Sequence, residues 1–228
     1  MDTIIDMRKV RKAYKTGKVT FEALKGVDCQ VKRGEFVAVV GPSGSGKSTL
    51  MNLMGCLDIP TGGEYLLEGT PVTTLNSNQL ADIRNRRVGF VFQAFNLLPY
   101  ATAYENVEVP LLFAKVNGRK RRERVNELLS QVGLADKAAN KPTEMSGGEM
   151  QRVAIARAMA NEPDIILADE PTGNLDTKSG AAIVGLFQEL HALGKTIVII
   201  THDTNIAKKT QRIVKLKDGL IDTNGNML

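Results

Sequence analysis

Eight consecutive residues restrict what this chain can fold into more than any others. Gly41-Pro42-Ser43-Gly44-Ser45-Gly46-Lys47-Ser48, continued by Thr49, fits G-x-x-x-x-G-K-[ST] at every position. The run before it, Phe36-Val-Ala-Val-Val40, is apolar, rich in valine and ends at the glycines, as a buried strand does. The run after it, STLMNLMG, is compatible with a helix. Strand, glycine loop and helix start make a phosphate cradle. Glycines let backbone N–H groups approach an anion without intervening side chains, and a helix N-terminus adds partial positive charge. Lys47 is then expected on the β- and γ-phosphates and the Ser48 hydroxyl on Mg²⁺. The plainer alternative is a glycine-rich turn that only caps a helix.

Two further apolar runs, Ile165–Asp169 (IILAD) and Thr196–Thr201 (TIVIIT), predict strands like the first. Helical patterns lie between them, which predicts a parallel sheet covered on both faces. The first 35 residues and the stretch EYLLEG (64–69) alternate instead, and are expected as antiparallel strands at the edge of that core. From about Thr102 to Ala160 the pattern is helical. Arg124, Glu127, Leu128, Gln131 and Val132 follow helix spacing, and MQRVAIARAMA (150–160) is a strong helix former. The expected fold is α/β: a P-loop NTPase (RecA-like) core with an antiparallel β edge and an inserted α-helical subdomain at about 95–160, all in one domain over 1–228.

A length of 228 residues suffices to bury a core without staples. Net charge is +5, too mild to indicate a partner. Cys29 and Cys56 form no C-x-x-C pair and read as buried thiols of a reducing compartment, and the isolated His191 and His202 argue against a zinc cluster. No apolar run approaches the ~20 residues that span a bilayer, and MDTIIDMRKVRKAY does not read as a signal peptide.

A phosphate cradle needs a carboxylate for its metal, and hydrolysis needs a group that positions water. Asp169 ends an apolar strand, where open α/β sheets bind ligands, and is expected to hold Mg²⁺. Glu170 follows it as the candidate general base. The plainer alternative for two adjacent carboxylates is an exposed turn.

Met145-Ser-Gly-Gly-Glu149, followed by MQRVAIAR to Arg157, resembles the signature of ATP-binding-cassette (ABC) ATPases. The resemblance covers the whole chain. It takes in the cradle, Phe92-Gln93, the signature, Asp169-Glu170, Gly173-Asn-Leu-Asp176 and Thr201-His202-Asp203, in the family order. It implies ATP and Mg²⁺. It also implies roles for single residues: Tyr14 stacking on adenine, Gln93 touching Mg²⁺ and the attacking water, and His202 sensing the γ-phosphate. Ser146, Gly147 and Gly148 would grip ATP bound to a second copy, and Asp176 would couple the two sites of that homodimer. Two positions depart from the pattern. Met145 stands for the usual Leu, a mild change in volume. Glu149 stands for Gln, which puts negative charge near the docking phosphate.

DEPTGNLD (169–176), GFVFQ (89–93) and NLLP (96–99) resemble one branch in particular, the ATPases of macrolide exporters, lipoprotein-releasing complexes and the cell-division regulator. The branch implies peripheral attachment at the cytoplasmic face of the inner or plasma membrane, an integral permease with an extracytoplasmic domain, and room for a periplasmic or extracellular adaptor acting through that permease. The apolar run Phe95, Leu97, Leu98, Pro99 and Tyr100, just after Gln93, is the expected docking surface, against the alternative that Leu97 and Leu98 fill the helical core. A nucleic-acid-associated ATPase of the same superfamily finds support only in GRKRRER (118–124), which reads more simply as a solvated helix face. The reading therefore places no nucleic acid among the partners. A GTPase should carry N-K-x-D, and Asn140-Lys-Pro-Thr143 lacks the Asp.

Overall fold

The structure is a computed structural model that describes residues 2–17 and 19–222. The chain opens with a long hairpin, β1 (Thr3–Thr16) and β2 (Val19–Lys32), and crosses to β3 (Phe36–Val40). It then passes the glycine loop into α1 (Lys47–Met54), followed by β4 (Gly62–Leu67), β5 (Thr70–Pro71), α2 (Ser77–Arg86) and β6 (Val88–Phe92). Three helices come next: α3 (Ala103–Phe113), α4 (Gly118–Gln131) and α5 (Gly147–Ala158). The remainder alternates through β7 (Ile165–Asp169), α6 (Thr177–Ala192), β8 (Thr196–Ile200), α7 (Thr204–Ala207), β9 (Arg212–Lys217) and β10 (Leu220–Ile221).

The three apolar runs form the centre of one sheet, in the order β10-β9-β3-β8-β7-β6. Every pair in it is parallel except β10 with β9. Phe36–Val39, Ile165–Ala168 and Thr196–Ile200 are buried throughout, because both faces of the sheet are covered.

The alternating strands do not extend that sheet at its edge. They pair among themselves as a second sheet, in the order β2-β1-β4-β5. The reason lies in their pattern. Along β2, buried Val27, Cys29 and Val31 alternate with exposed Asp28, Gln30 and Lys32, so one face is dry and the other wet. The dry face covers α1: Ile5, Met7, Val27 and Val31 cluster with Leu50, Met51, Leu53 and Met54, and with Val37 and Val39 of the parallel sheet.

A second cluster fills the other face of the parallel sheet. It joins Phe36, Ile166 and Ile197 to Phe187 of α6 and to Val107, Leu128 and Val153 of α3, α4 and α5. The three helices thus share their dry surface with the sheet. Asn76, Thr102 and Ser146 start α2, α3 and α5 with reciprocal capping boxes to Gln79, Glu105 and Glu149.

Because β3, β6, β7 and β8 run parallel, their C-terminal ends meet along one edge. The glycine loop, Gln93, the Asp169-Glu170 pair and His202 all leave the sheet there.

Candidate active site

The glycine loop reaches α1 through Gly46, whose φ of 103° lies in the left-handed region. A Cβ there would stand 2.7 Å from the Ala23 carbonyl oxygen, so the hairpin sheet closes directly on the loop. No side chain caps the first turn of α1, and its backbone donors are left for an anion. Lys47 folds back over the loop, with Nζ donating to the carbonyls of Gly41 (2.8 Å) and Pro42 (2.9 Å). A cleft lined by Ser43, Gly44, Gly46, Lys47, Ser48 and Thr49 also takes in Gln93, Asp169 and Glu170. Ser45 is buried behind the loop. Six of the nine expected phosphate residues thus meet Gln93, Asp169 and Glu170 in one cleft, while Gly41, Pro42 and Ser45 are not on its lining.

Asp169 ends β7, where burial and the neighbouring Glu170 carboxylate push its carboxyl above the usual range against the pull of Lys47. Glu170 has a φ of 44°, a conformation that a side chain adopts only when its surroundings impose it. Its N–H donates to the Ile200 carbonyl (2.9 Å), and its Oε1 lies 2.8 Å from His202 Nδ1. The imidazole itself is 75% exposed. Gln93 and Asn174 exchange hydrogen bonds: Gln93 Nε2 donates to Asn174 Oδ1 (3.2 Å), and Asn174 Nδ2 to the Gln93 carbonyl (3.0 Å). A Cβ at Gly173 would stand 2.6 Å from Gln93 Nε2, so only glycine leaves Gln93 its place.

Ser146, Gly147 and Gly148 do not line this cleft. Ser146 is the N-cap of α5 and accepts from the Glu149 N–H (3.3 Å), while Glu149 Oε2 accepts from the Ser146 N–H (2.8 Å). That backbone donor holds the Glu149 carboxyl below its ordinary value, and Lys137 stands 3.8 Å from it. Asp176 caps α6 by accepting from the Ser179 N–H (3.0 Å).

Tyr14 is placed across the hairpin from Phe21. Its hydroxyl donates to Asp58 Oδ2 (3.1 Å), and Lys12 Nζ lies 5.1 Å from its ring centre. Phe21 is the aromatic that lines the cleft. Three further residues hold the site's loops together: Asn174, Gln151 and Arg157. The last two sit inside the signature string, but nothing in that string tells which of its polar residues turn inward.

A family profile described as ABC transporter matches residues 24–173. The chain belongs to the ABC transporter ATPases. An ABC transporter ATP-binding protein of Thermotoga maritima is 51% identical over 97% of this chain and 95% of its own. YvrO of Bacillus subtilis, also named an ABC transporter ATP-binding protein, is 51% identical over 98% and 99%. The macrolide export ATP-binding/permease protein MacB of Brucella melitensis is 47% identical, over 96% of this chain but only 34% of its own length. Among solved structures, a dimeric ABC cassette in a post-hydrolysis state bound to ADP and Pi superposes with a TM-score of 0.88. It is 48% identical and covers 96% of each chain.

This cassette is thus an ATP-binding, ATP-hydrolysing nucleotide-binding subunit of an ABC transporter, with the α/β cassette fold expected from its sequence. Among the described residues, no helix is long and apolar enough to cross a membrane.

Proposed function

We propose that this cassette drives an export-type transporter from the cytoplasmic face of the membrane, as a homodimer that closes on ATP and pulls on a separate permease. The relatives named macrolide export ATP-binding/permease proteins support the export branch and a permease partner; an extracytoplasmic domain on that permease and an external adaptor are part of the proposal. The dimeric cassettes among the solved structures support the pairing.

In this reading the cradle residues Gly41–Thr49 hold the triphosphate, with the α1 N-terminus and Lys47 neutralising it. Mg²⁺ takes one or two carboxylates together with phosphate oxygens and water. Asp169, Ser48 and Gln93 fit that donor set where they meet on the cleft. Bound there, the ion would neutralise charge on the β- and γ-phosphates. Glu170 accepts a proton from the water that attacks the γ-phosphorus, and the bond to the β-phosphate oxygen breaks to give ADP and phosphate. His202 steadies the Glu170 carboxylate and contacts the γ-phosphate. The adenine lies against the hairpin aromatics Tyr14 and Phe21. Ser146, Gly147 and Gly148 take the γ-phosphate of the partner copy's ATP, and Asp176 links the two sites. Residues 95–160 act as an inserted helical unit that meets the permease.

The observation that carries the hydrolytic part is Glu170 itself, held in a strained backbone conformation against Ile200, bonded to His202 and facing the cleft of Lys47. Glu170→Gln is expected to keep ATP binding and to lower turnover by about 10²-fold or more, the scale of a lost general base. With ATP it should accumulate as a dimer in light scattering, and adding Ser146→Arg should return it to monomer with ATP still bound. Normal turnover in Glu170→Gln refutes the base, and an ATP dimer that survives Ser146→Arg refutes the shared site.

A further inference from the structure

Gln151 lies on α5, one to two turns beyond Ser146, and is 0% exposed. Its Nε2 donates to the Pro171 carbonyl at 2.7 Å and, more weakly, to the Phe92 carbonyl at 3.4 Å. Pro171 follows Glu170 in the chain, and Phe92 precedes Gln93. One side-chain amide therefore holds together the helix behind the Ser146 turn, the segment that carries the two carboxylates and the loop that carries Gln93.

Packing does not explain a glutamine here. Its Oε1 is buried without a partner among the described residues. An unmet buried acceptor costs about 1–3 kcal/mol, which an apolar side chain of the same size avoids. What the amide supplies is its two donated bonds, and the stronger one ends next to Glu170. The left-handed backbone of Glu170 must be imposed from outside. Ile200 fixes its N–H and the Gly173 N–H takes its carbonyl (3.0 Å). Gln151 fixes the next carbonyl along.

The Gln93 side has a fastening of its own. Arg157, two turns further along α5, donates to the carbonyls of Phe95 (2.9 Å) and Asn96 (2.5 Å). Loss of the Gln151 amide therefore falls mainly on the Glu170 segment.

We infer that Gln151 is a positioning residue for hydrolysis: through its bond to Pro171 it passes the movement of the Ser146–Gly148 turn to Glu170. An anion from a second copy that engages the turn shifts α5, and the Glu170 carboxylate follows into its working position. The inference rests on Glu170 as the general base, and Glu170→Gln alone tests that reading separately.

Gln151→Met keeps the length and removes the donors. It should lower kcat about tenfold, the scale of a modest misplacement of a reacting group, and leave KM for ATP within about twofold. In the Glu170→Gln background the same change should cost less than about twofold, because the group it positions is already lost. Gln151→Asn withdraws the amide by one methylene, should show the same split, and decides the matter if the Met variant does not fold. A purely structural role would lower the melting temperature without separating kcat from KM. Unchanged kcat in a folded variant overturns the inference. So does a rise in KM alone, or an equal loss of kcat in the Glu170→Gln background.

Discussion

At the scale of the residue, the departures from the family pattern say as much as the matches. Met145 is nearly buried and joins the helical cluster, as its volume allows. Glu149 is expected from sequence to set a charge against the partner's phosphate. In the folded chain its carboxylate accepts from the Ser146 N–H and faces Lys137, so part of its charge is engaged within its own chain. Glutamine in the same rotamer would accept the same bond without the charge. Glu149→Gln, compared in the Glu170→Gln background, is therefore expected to lower the ATP concentration for half-maximal dimerisation by about two- to threefold, the scale of one partly screened charge. The gain should shrink in high salt. The pH dependence has a definite sign. Folding depresses the Glu149 carboxyl below its ordinary value of 4.5, so its contribution to stability is present above that value and is lost as pH falls below it. The Gln variant should lack that acid-side loss in thermal unfolding. A variant that needs more ATP to dimerise would refute the electrostatic account.

At the scale of the element, what a residue run can announce is its own period. The valine- and isoleucine-rich runs at 36–40, 165–169 and 196–200 announce buried strands, and they are β3, β7 and β8. The alternation in residues 3–32 announces half-wet strands but not which sheet they join, since pairing depends on residues far along the chain. Lys12 and Asp58 show this. Lys12 is 7% exposed, unusually little for a lysine, and its Nζ donates to Asp58 Oδ1 (2.5 Å) and to the Ile59 carbonyl (2.9 Å). Nothing in either neighbourhood announces the other across 46 positions. The pair ties β1 to the turn after α1, and Asp58 also receives the Tyr14 hydroxyl. Burial raises the Asp58 carboxyl, and the bonds from Lys12, the Ile59 N–H and Tyr14 bring it below its ordinary value. Lys12→Met leaves that carboxylate without its cation. The expected loss is about 1–3 kcal/mol, or roughly 3–10 °C in melting temperature for a chain of this size. Adding Asp58→Asn should recover part of it. A single variant as stable as wild type, or a double variant no better than the single, would show that the pair holds nothing.

At the scale of the whole molecule, the glycine loop, Gln93 and the Asp169-Glu170 pair were legible because each follows its own strand to one edge of the sheet, whereas Ser146–Gly148 and Asp176 cap helices away from that cleft. Surface use was not legible, because exposure belongs to the folded chain. The run after Gln93 is the clearest case. Leu97 packs on the helical cluster, whereas Leu98 is 50% exposed and Tyr100 90%, with Leu112 (49%) and Phe113 (77%) also exposed at the end of α3. Leu98, Pro99 and Tyr100 line one shallow depression, and under the proposed function that is where the permease would dock. The loop that carries Leu98 and Tyr100 is fastened by two side chains. Asn106, fully buried on α3, accepts from the Leu98 N–H (2.7 Å) and donates to the Leu98, Ala101 and Thr102 carbonyls. Arg157 grips the same loop at Phe95 and Asn96, next to Gln93. A permease segment pressed on Leu98 and Tyr100 would therefore move the fastened loop, and that loop ends at the cleft of Lys47 and Asp169. Leu98→Asp and Tyr100→Asp place a charge in the contact and leave the cleft untouched. Each should keep the basal ATPase of the isolated cassette near normal and lose both co-purification with the permease and stimulation by it. Full binding and stimulation in both variants would place the docking surface elsewhere on the cassette. Binding retained with stimulation lost would leave the contact but remove the fastened loop as its route to Gln93.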